Sequence, residues 1–138
     1  VVVLTGDIYC LQADCTPDFR YRTMLGGHLA YCRSKLGNLW FANRLRREAG
    51  EGLRVFAVHP GVVASELTRH AGRLANALLP AVLLSPEHGA ETTLLCCAQP
   101  RLRPGYYHNV FGRVAQLPPG DPALDEAKEA AFWELCER

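Results

Sequence analysis

Two adjoining segments decide the fold: LAYCRSKLGNLWFANRLRREA at residues 29–49 and LRVFAVHPG at residues 53–61. In the first segment apolar residues recur at three- and four-residue intervals, and arginines crowd its end, where they favour the helix macrodipole. This pattern predicts a helix over 29–49 that ends at Gly50 and Gly52. The second segment predicts a buried strand over Leu53–Val58, stopped by the turn that follows it.

The pattern continues in both directions from this helix–strand pair. We predict a long loop at 10–27, a helix or broken helix over Ser65–Leu84, and an amphipathic final helix with Leu124, Ala127, Ala131 and Leu135 on one face. Two further strands are predicted over Val1–Thr5 and Gly105–Phe111. A helix is predicted over Gly89–Ala98, where Ser85-Pro86 is the start signal, and the final helix covers Asp121–Glu137. Alternating strands and helices predict an α/β domain with a parallel sheet.

Composition excludes several classes of protein. The chain has 138 residues, of which 49% are apolar and 21% charged, and its net charge is +1, so its bulk charge indicates neither nucleic-acid nor membrane binding. Six scattered cysteines without a C-x-x-C pair are typical of reduced thiols, and no signal peptide is visible at 1–7. The apolar stretch 74–84 is far shorter than the ~20 residues that span a bilayer. We therefore expect a cytoplasmic or cytosol-facing, membrane-associated protein without a membrane span in this chain.

Tyr31 and Lys35 are four residues apart near the start of the predicted helix. Side chains at this spacing share a helix face, about one turn apart. A cation held beside a phenol stabilises the phenolate, so the pair could donate or accept a proton near neutral pH. A capping aromatic residue and a solvated lysine would give the same spacing, so the pair alone does not decide between these interpretations.

The turn His59-Pro60-Gly61 directly follows the predicted strand. Ligands of open α/β sheets bind beyond the carboxyl ends of the strands, and glycine lets the backbone approach a ligand closely. A plain strand-to-helix turn is the alternative, and we interpret His59 itself as a packed strand-end residue. His70, His88 and His108 lack metal-ligand spacing, so no metal site is predicted.

The segments LAYCRSKLGNLWFANRLRRE and VFAVHPGVVASEL resemble the short-chain dehydrogenase/reductases, above all the retinol dehydrogenase-like group and the related WW-domain oxidoreductase. The resemblance continues through SPEHGAETTLLCCAQP and GYYHNVF and covers nearly all of the chain. It implies the C-terminal half of a doubly wound Rossmann-type parallel sheet. It also implies a small apolar alcohol or carbonyl substrate, retinoid- or steroid-like, with NADP or NAD as cofactor.

The resemblance also assigns roles to particular residues. It implies that Tyr31 is the acid/base, and that Lys35 eases its ionisation and binds the nicotinamide ribose. The family's P-G-x-V-x-[ST] segment, which cradles the nicotinamide, matches four positions of this sequence: Pro60, Gly61, Val63 and Ser65.

The sequence departs from the family's pattern at the catalytic serine. By the family's spacing that serine falls on Gly6, which has no hydroxyl, and Thr5 is the available substitute. The family's glycine-rich dinucleotide turn belongs to an N-terminal half that these residues do not include. We therefore expect residues 1–138, as a partial domain, to bind no dinucleotide on their own and to self-associate through the edge of the first strand. An inactive family member that acts through protein contacts is the alternative function.

Overall fold

The structure is a computed structural model that describes residues 1–12, 14–15, 24–63, 83–109 and 117–138, without the side chains of residues 24 and 25. Three parallel strands form one sheet in the order β1 (Val2–Leu4), β2 (Phe56–His59) and β3 (Gly105–His108). In its register Val3 lies beside Ala57, which lies beside Tyr106. The predicted α/β class and parallel sheet are confirmed.

Helix α1 covers Met24–Ala49 and is longer than predicted. The loop expected at 10–27 is therefore wrong at its end, and also at its beginning, where Asp7–Leu11 forms a 3₁₀ helix. The cause lies in helix energetics: one interior glycine costs only about 1 kcal/mol, so a long helix that has already nucleated can extend through Gly26-Gly27. The predicted end is confirmed, and Gly50 adopts a positive φ of 55° there.

The main core lies between α1 and the sheet. The α1 side chains of Leu36, Leu39 and Trp40 are almost fully buried, together with Val55 and Ala57 of the second strand region. The Trp40 indole N–H also donates a hydrogen bond to the carbonyl oxygen of Pro122 (3.1 Å). The long helix is thus fixed both to the sheet and to the C-terminal segment.

The C-terminal segment is a 3₁₀ turn, Pro122–Leu124, followed by helix α3, Glu126–Cys136, instead of one helix from Asp121. Asp121 and Asp125 each accept a backbone N–H bond at the start of these two elements, which explains the break. The predicted apolar face is also wrong as a packing face, because its four residues are exposed. Glu129 is buried instead and pairs with Arg47, while Phe132 packs on Trp40.

The remaining elements follow the prediction with shifted ends. Helix α2 covers Pro86–Ala98, and the Ser85 hydroxyl caps it by accepting the N–H of His88 (3.3 Å), as expected. Strand β2 includes His59, which the sequence had assigned to the turn. Of the predicted third strand, residues 110–111 lie outside the described residues, as do residues 65–82 of the predicted helix or broken helix. In the described part of the chain no helix combines the length and apolarity needed to cross a membrane.

Candidate functional site

The carboxyl ends of the three strands meet at one edge of the sheet, and the first half of α1 is held against that edge. The Asn38 amide donates to the carbonyl oxygen of Leu4, the last residue of β1 (3.0 Å). The Thr5 hydroxyl, one residue further on, donates to the carbonyl oxygen of Lys35 (2.7 Å). These two bonds fix the helix turn that carries Tyr31 and Lys35 beside the end of the first strand.

Tyr31 and Lys35 lie together on this turn. The Lys35 ammonium is 5.2 Å from the centre of the Tyr31 ring, within reach of a cation–π contact. Tyr31 is 41% exposed, so its phenol is open to a substrate. Among the described residues no carboxylate forms an ion pair with Lys35, so its charge is available both to the phenol and to a ligand.

Position 6 faces the same group of side chains. A Cβ built on Gly6 would lie 3.7 Å from Lys35 Cγ and 3.9 Å from His59 Nδ1, which are ordinary contacts. Gly6 has extended backbone (φ −160°, ψ 139°), which any residue adopts. Thr5, the other candidate, is buried, and its hydroxyl proton is committed to Lys35.

The loop after β2 is closely packed against its surroundings. Gly61 has a φ of +85°, and a Cβ there would come within 2.5 Å of Leu84 Cδ1 and 2.9 Å of the Asn109 carbonyl oxygen. Val63 forms an isolated parallel bridge with Leu84, and its side chain fills the space above Gly89. Glycine is therefore required at position 61 by the packing of the chain itself. Pro60 is half-buried beside it, and Ser65 lies outside the described residues.

A second polar cluster occupies the same edge, and the sequence analysis missed it. Asp7 follows β1, and His59 and His108 end β2 and β3 as register partners, so their rings stack with centres 4.8 Å apart. His108 Nε2 is hydrogen-bonded to Asp7 Oδ2, and His59 Nε2 lies 3.6 Å from the same oxygen. The Tyr106 hydroxyl donates to the other Asp7 oxygen (2.8 Å). No spacing rule could find this cluster, because its members are up to 101 residues apart.

The electrostatics of this cluster follow from burial. Burial lowers the pKa of His59, while the nearby Asp7 carboxylate opposes this shift. Burial and the hydrogen bond to Asp7 raise the pKa of Tyr106, so its phenol stays protonated and remains a donor. Asp7, His59 and His108 together offer one oxygen and two nitrogen atoms that all lie within 4.8 Å of one another. These are the residues of the site whose donor atoms could hold a cation.

Comparison with known proteins identifies relatives along the whole chain. Human retinol dehydrogenase 11 is 45% identical over 71 residues, which cover 49% of this chain and 22% of that protein. Bovine dehydrogenase/reductase SDR family member 13 is 39% identical over 118 residues, covering 79% of this chain and 30% of that protein. Mouse retinol dehydrogenase 14 is 28% identical over 144 aligned positions, covering 99% of this chain and 43% of that protein. The chain thus spans less than half the length of these relatives. No protein-family model matches it.

A solved structure shows the same fold. An uncharacterised protein from Mycobacterium paratuberculosis superimposes with a TM-score of 0.67 and 26% sequence identity, covering 99% of this chain and 48% of that chain. The three-stranded parallel sheet with its helices is accordingly part of a Rossmann-type fold.

Proposed function

We propose that this chain, which belongs to the short-chain dehydrogenase/reductase family and its retinol dehydrogenase-like group, carries the proton-transfer residues of an NAD(P)-dependent oxidoreductase. The observation that carries the proposal is the Lys35 ammonium 5.2 Å from the centre of the exposed Tyr31 ring, at the carboxyl edge of the sheet. This proximity supports the proposed roles of Tyr31 as the acid/base and of Lys35 as its activator.

The residues at this edge suit a nicotinamide cofactor. Lys35 forms no ion pair with any described carboxylate, so its ammonium is free to donate to ribose hydroxyl groups. Pro60, Gly61 and Val63, with Ser65 beyond them, would border the nicotinamide at the end of β2. When bound, the cofactor supplies or accepts the hydride.

The chain's own residues would move the proton. The Tyr31 hydroxyl donates a proton to the substrate oxygen in reduction and accepts it in oxidation. The Lys35 ammonium stabilises the phenolate that forms, because an opposite charge nearby favours the ionised form. The retinol named for several relatives suggests an apolar alcohol or carbonyl substrate, retinoid- or steroid-like.

The test compares Tyr31→Phe with Tyr107→Phe in protein expressed from the complete coding sequence, with retinal and a ketosteroid as substrates. Tyr107 lies on β3, the other edge strand, and its hydroxyl donates a hydrogen bond to the carbonyl oxygen of Arg103, so Tyr107→Phe controls for the loss of a phenol hydroxyl. Tyr31→Phe should lower turnover by about 10²–10⁴-fold, the usual contribution of general acid–base catalysis, and leave cofactor affinity nearly unchanged. Equal turnover of the two variants would refute the proposed role.

Lys35→Ala should lower both turnover and cofactor affinity, because one ammonium serves the phenol and the ribose. Lys128→Ala is the matched control, since Lys128 lies on α3 and pairs with Asp125. If Lys35→Ala loses turnover but keeps full cofactor affinity, Lys35 does not bind the ribose.

The second candidate function is that of an inactive family member acting through protein contacts. One observation favours it: among the described residues no free hydroxyl lies where the family places its serine. Position 6 is glycine, and the Thr5 hydroxyl donates its proton to the carbonyl oxygen of Lys35. Under this alternative, wild-type protein shows no turnover with either substrate, although Tyr31 and Lys35 are intact.

A further inference from the structure

Three donor atoms of metal-binding type converge at the carboxyl edge of the sheet. They are a carboxylate oxygen of Asp7 and one ring nitrogen each of His59 and His108, all within 4.8 Å of one another. The Nε2 atoms of both histidines face Asp7 Oδ2. Two imidazoles and one carboxylate form a common ligand set for Zn²⁺ and related divalent transition metals. We propose that Asp7, His59 and His108 bind one such ion and thereby link the ends of all three strands.

The distances suit a small tetrahedral ion. Ligand atoms bound to zinc at 2.0–2.2 Å lie about 3.3–3.6 Å from one another. Asp7 Oδ2 and His59 Nε2 are 3.6 Å apart, so they need almost no movement. Only His108 Nε2, which is hydrogen-bonded directly to Oδ2, has to move away for the ion to enter between them.

The surroundings orient the ligands before any ion binds. The Tyr106 hydroxyl holds the second Asp7 oxygen (2.8 Å) and so directs Oδ2 towards the two rings. The imidazoles are fixed by the ladder between β2 and β3 and by their mutual stacking at 24°. Such outer hydrogen bonds are typical of metal sites, where they set the orientation of the ligands.

The proposed ion site and the proton-transfer pair Tyr31–Lys35 both lie near position 6. His59 presents Nε2 to the cluster, while its Nδ1 faces position 6 and has no hydrogen-bond partner among the described residues. The Lys35 side chain also borders position 6, since its Cγ would lie 3.7 Å from a Cβ there. Three protein ligands would leave a fourth position open to water, as in zinc sites with an exchangeable ligand.

The test uses Zn²⁺ titration calorimetry, and Co²⁺ as a spectroscopic substitute, on the 138-residue chain with its exposed thiols alkylated. The expected result is one ion per chain with micromolar or tighter affinity, and cobalt bands of nitrogen and oxygen ligation. His108→Gln should weaken binding by more than about 100-fold, and Tyr106→Phe by about 10–100-fold, the usual cost of losing an outer hydrogen bond. Tyr106→Phe keeps the ring that packs edge-on against Tyr9, so its fold is preserved.

His28→Gln is the matched control, because His28 is exposed on α1 and lies outside the cluster. It should bind Zn²⁺ as the wild type does. The proposal is overturned if wild type binds no ion in the micromolar range, if His108→Gln binds as tightly as His28→Gln, or if the cobalt spectrum shows sulfur ligation. Neither readout depends on turnover, so the result is independent of the oxidoreductase assay.

Discussion

At the scale of single residues, position 6 is where we expect one added hydroxyl group to change the rate of the proposed reaction most. Its backbone is extended and a Cβ there meets only ordinary contacts, so a serine fits without strain. The serine side chain would lie beside Lys35 and His59, at the position that the family resemblance assigns to the oxyanion donor. Removing such a donor typically costs about 10²–10³-fold in rate, and restoring it should return a gain on that scale.

We therefore predict that Gly6→Ser raises turnover of protein made from the complete coding sequence by up to about 10²–10³-fold. The measurement is the steady-state rate with retinal and a ketosteroid. Gly27→Ser is the control, because position 27 lies on α1 with nothing within 4 Å of its Cβ. If Gly6→Ser matches Gly27→Ser while wild type is active, another group already supplies the hydrogen bond.

At the scale of elements, an ion pair with one buried member joins α3 to α1 beside their aromatic contacts. Glu129 is 2% exposed and pairs with Arg47, whose side chain is 38% exposed. Arg47→Ala would remove the ion-pair partner of a buried carboxylate, a change that costs ~3–5 kcal/mol in a fully buried pair, although Arg46 still interacts electrostatically with Glu129. Because Arg47 is partly solvated, we predict a loss at the lower end of that range in urea denaturation.

Arg44→Ala tests whether the position of the charge matters. Arg44 pairs with Glu48 one turn along the exposed side of α1, an arrangement worth about 0.3–0.5 kcal/mol. Equal destabilisation by the two alanine variants would contradict the dominant role of the Glu129 pair.

The first strand is an edge of the described sheet, since β1 pairs only with β2. Leu4 at its end is 49% exposed, and uncharged edges of this kind add further strands. We predict that the 138-residue chain self-associates in sedimentation velocity experiments, and that Leu4→Lys shifts it towards monomer. Leu94→Lys, an equally drastic change at an exposed α2 residue, should not. A monomeric wild-type chain would disprove this interface.

The elements show which sequence signals are sufficient on their own. The end of α1 and the start of α2 were predictable because glycine termination and the Ser85 cap act within a few residues. The buried face of α3 was not predictable. The positions of apolar residues favour Leu124 and Leu135 as buried, whereas Glu129 is buried because it pairs with Arg47 on another helix. Long-range partners of this kind leave no local periodicity.

At the scale of the whole molecule, parallel strands collect residues from distant parts of the chain at one edge. Tyr31 and Lys35 could be paired from the sequence, because helical spacing is local. The cluster of Asp7, His59 and His108 could not, because it exists only through the β1-β2-β3 order and register. Sequence reasoning therefore found the helix-borne part of the candidate site and missed the part that the sheet assembles.

The six cysteines differ in burial, and none of them forms a disulfide bond. Of the neighbouring pair on α2, Cys96 is buried and Cys97 is exposed. This difference follows from helix geometry, since consecutive side chains point about 100° apart. Accessibility should therefore divide the six thiols into two groups of three.

The final prediction concerns their reactivity. Burial, reinforced by the neighbouring Asp14 carboxylate, raises the pKa of Cys15 to about 11, and burial also raises the pKa values of Cys32 and Cys96. Only the thiolate attacks iodoacetamide, so at pH 8 these three buried thiols should react far more slowly than the exposed ones, Cys10, Cys97 and Cys136. Peptide mapping by mass spectrometry measures each rate. Unfolding in urea should bring all six rates within about tenfold of one another, because free thiols share a pKa near 8.5. A native Cys15 that reacts as fast as Cys97 would contradict the packing of α1 and α3 around it.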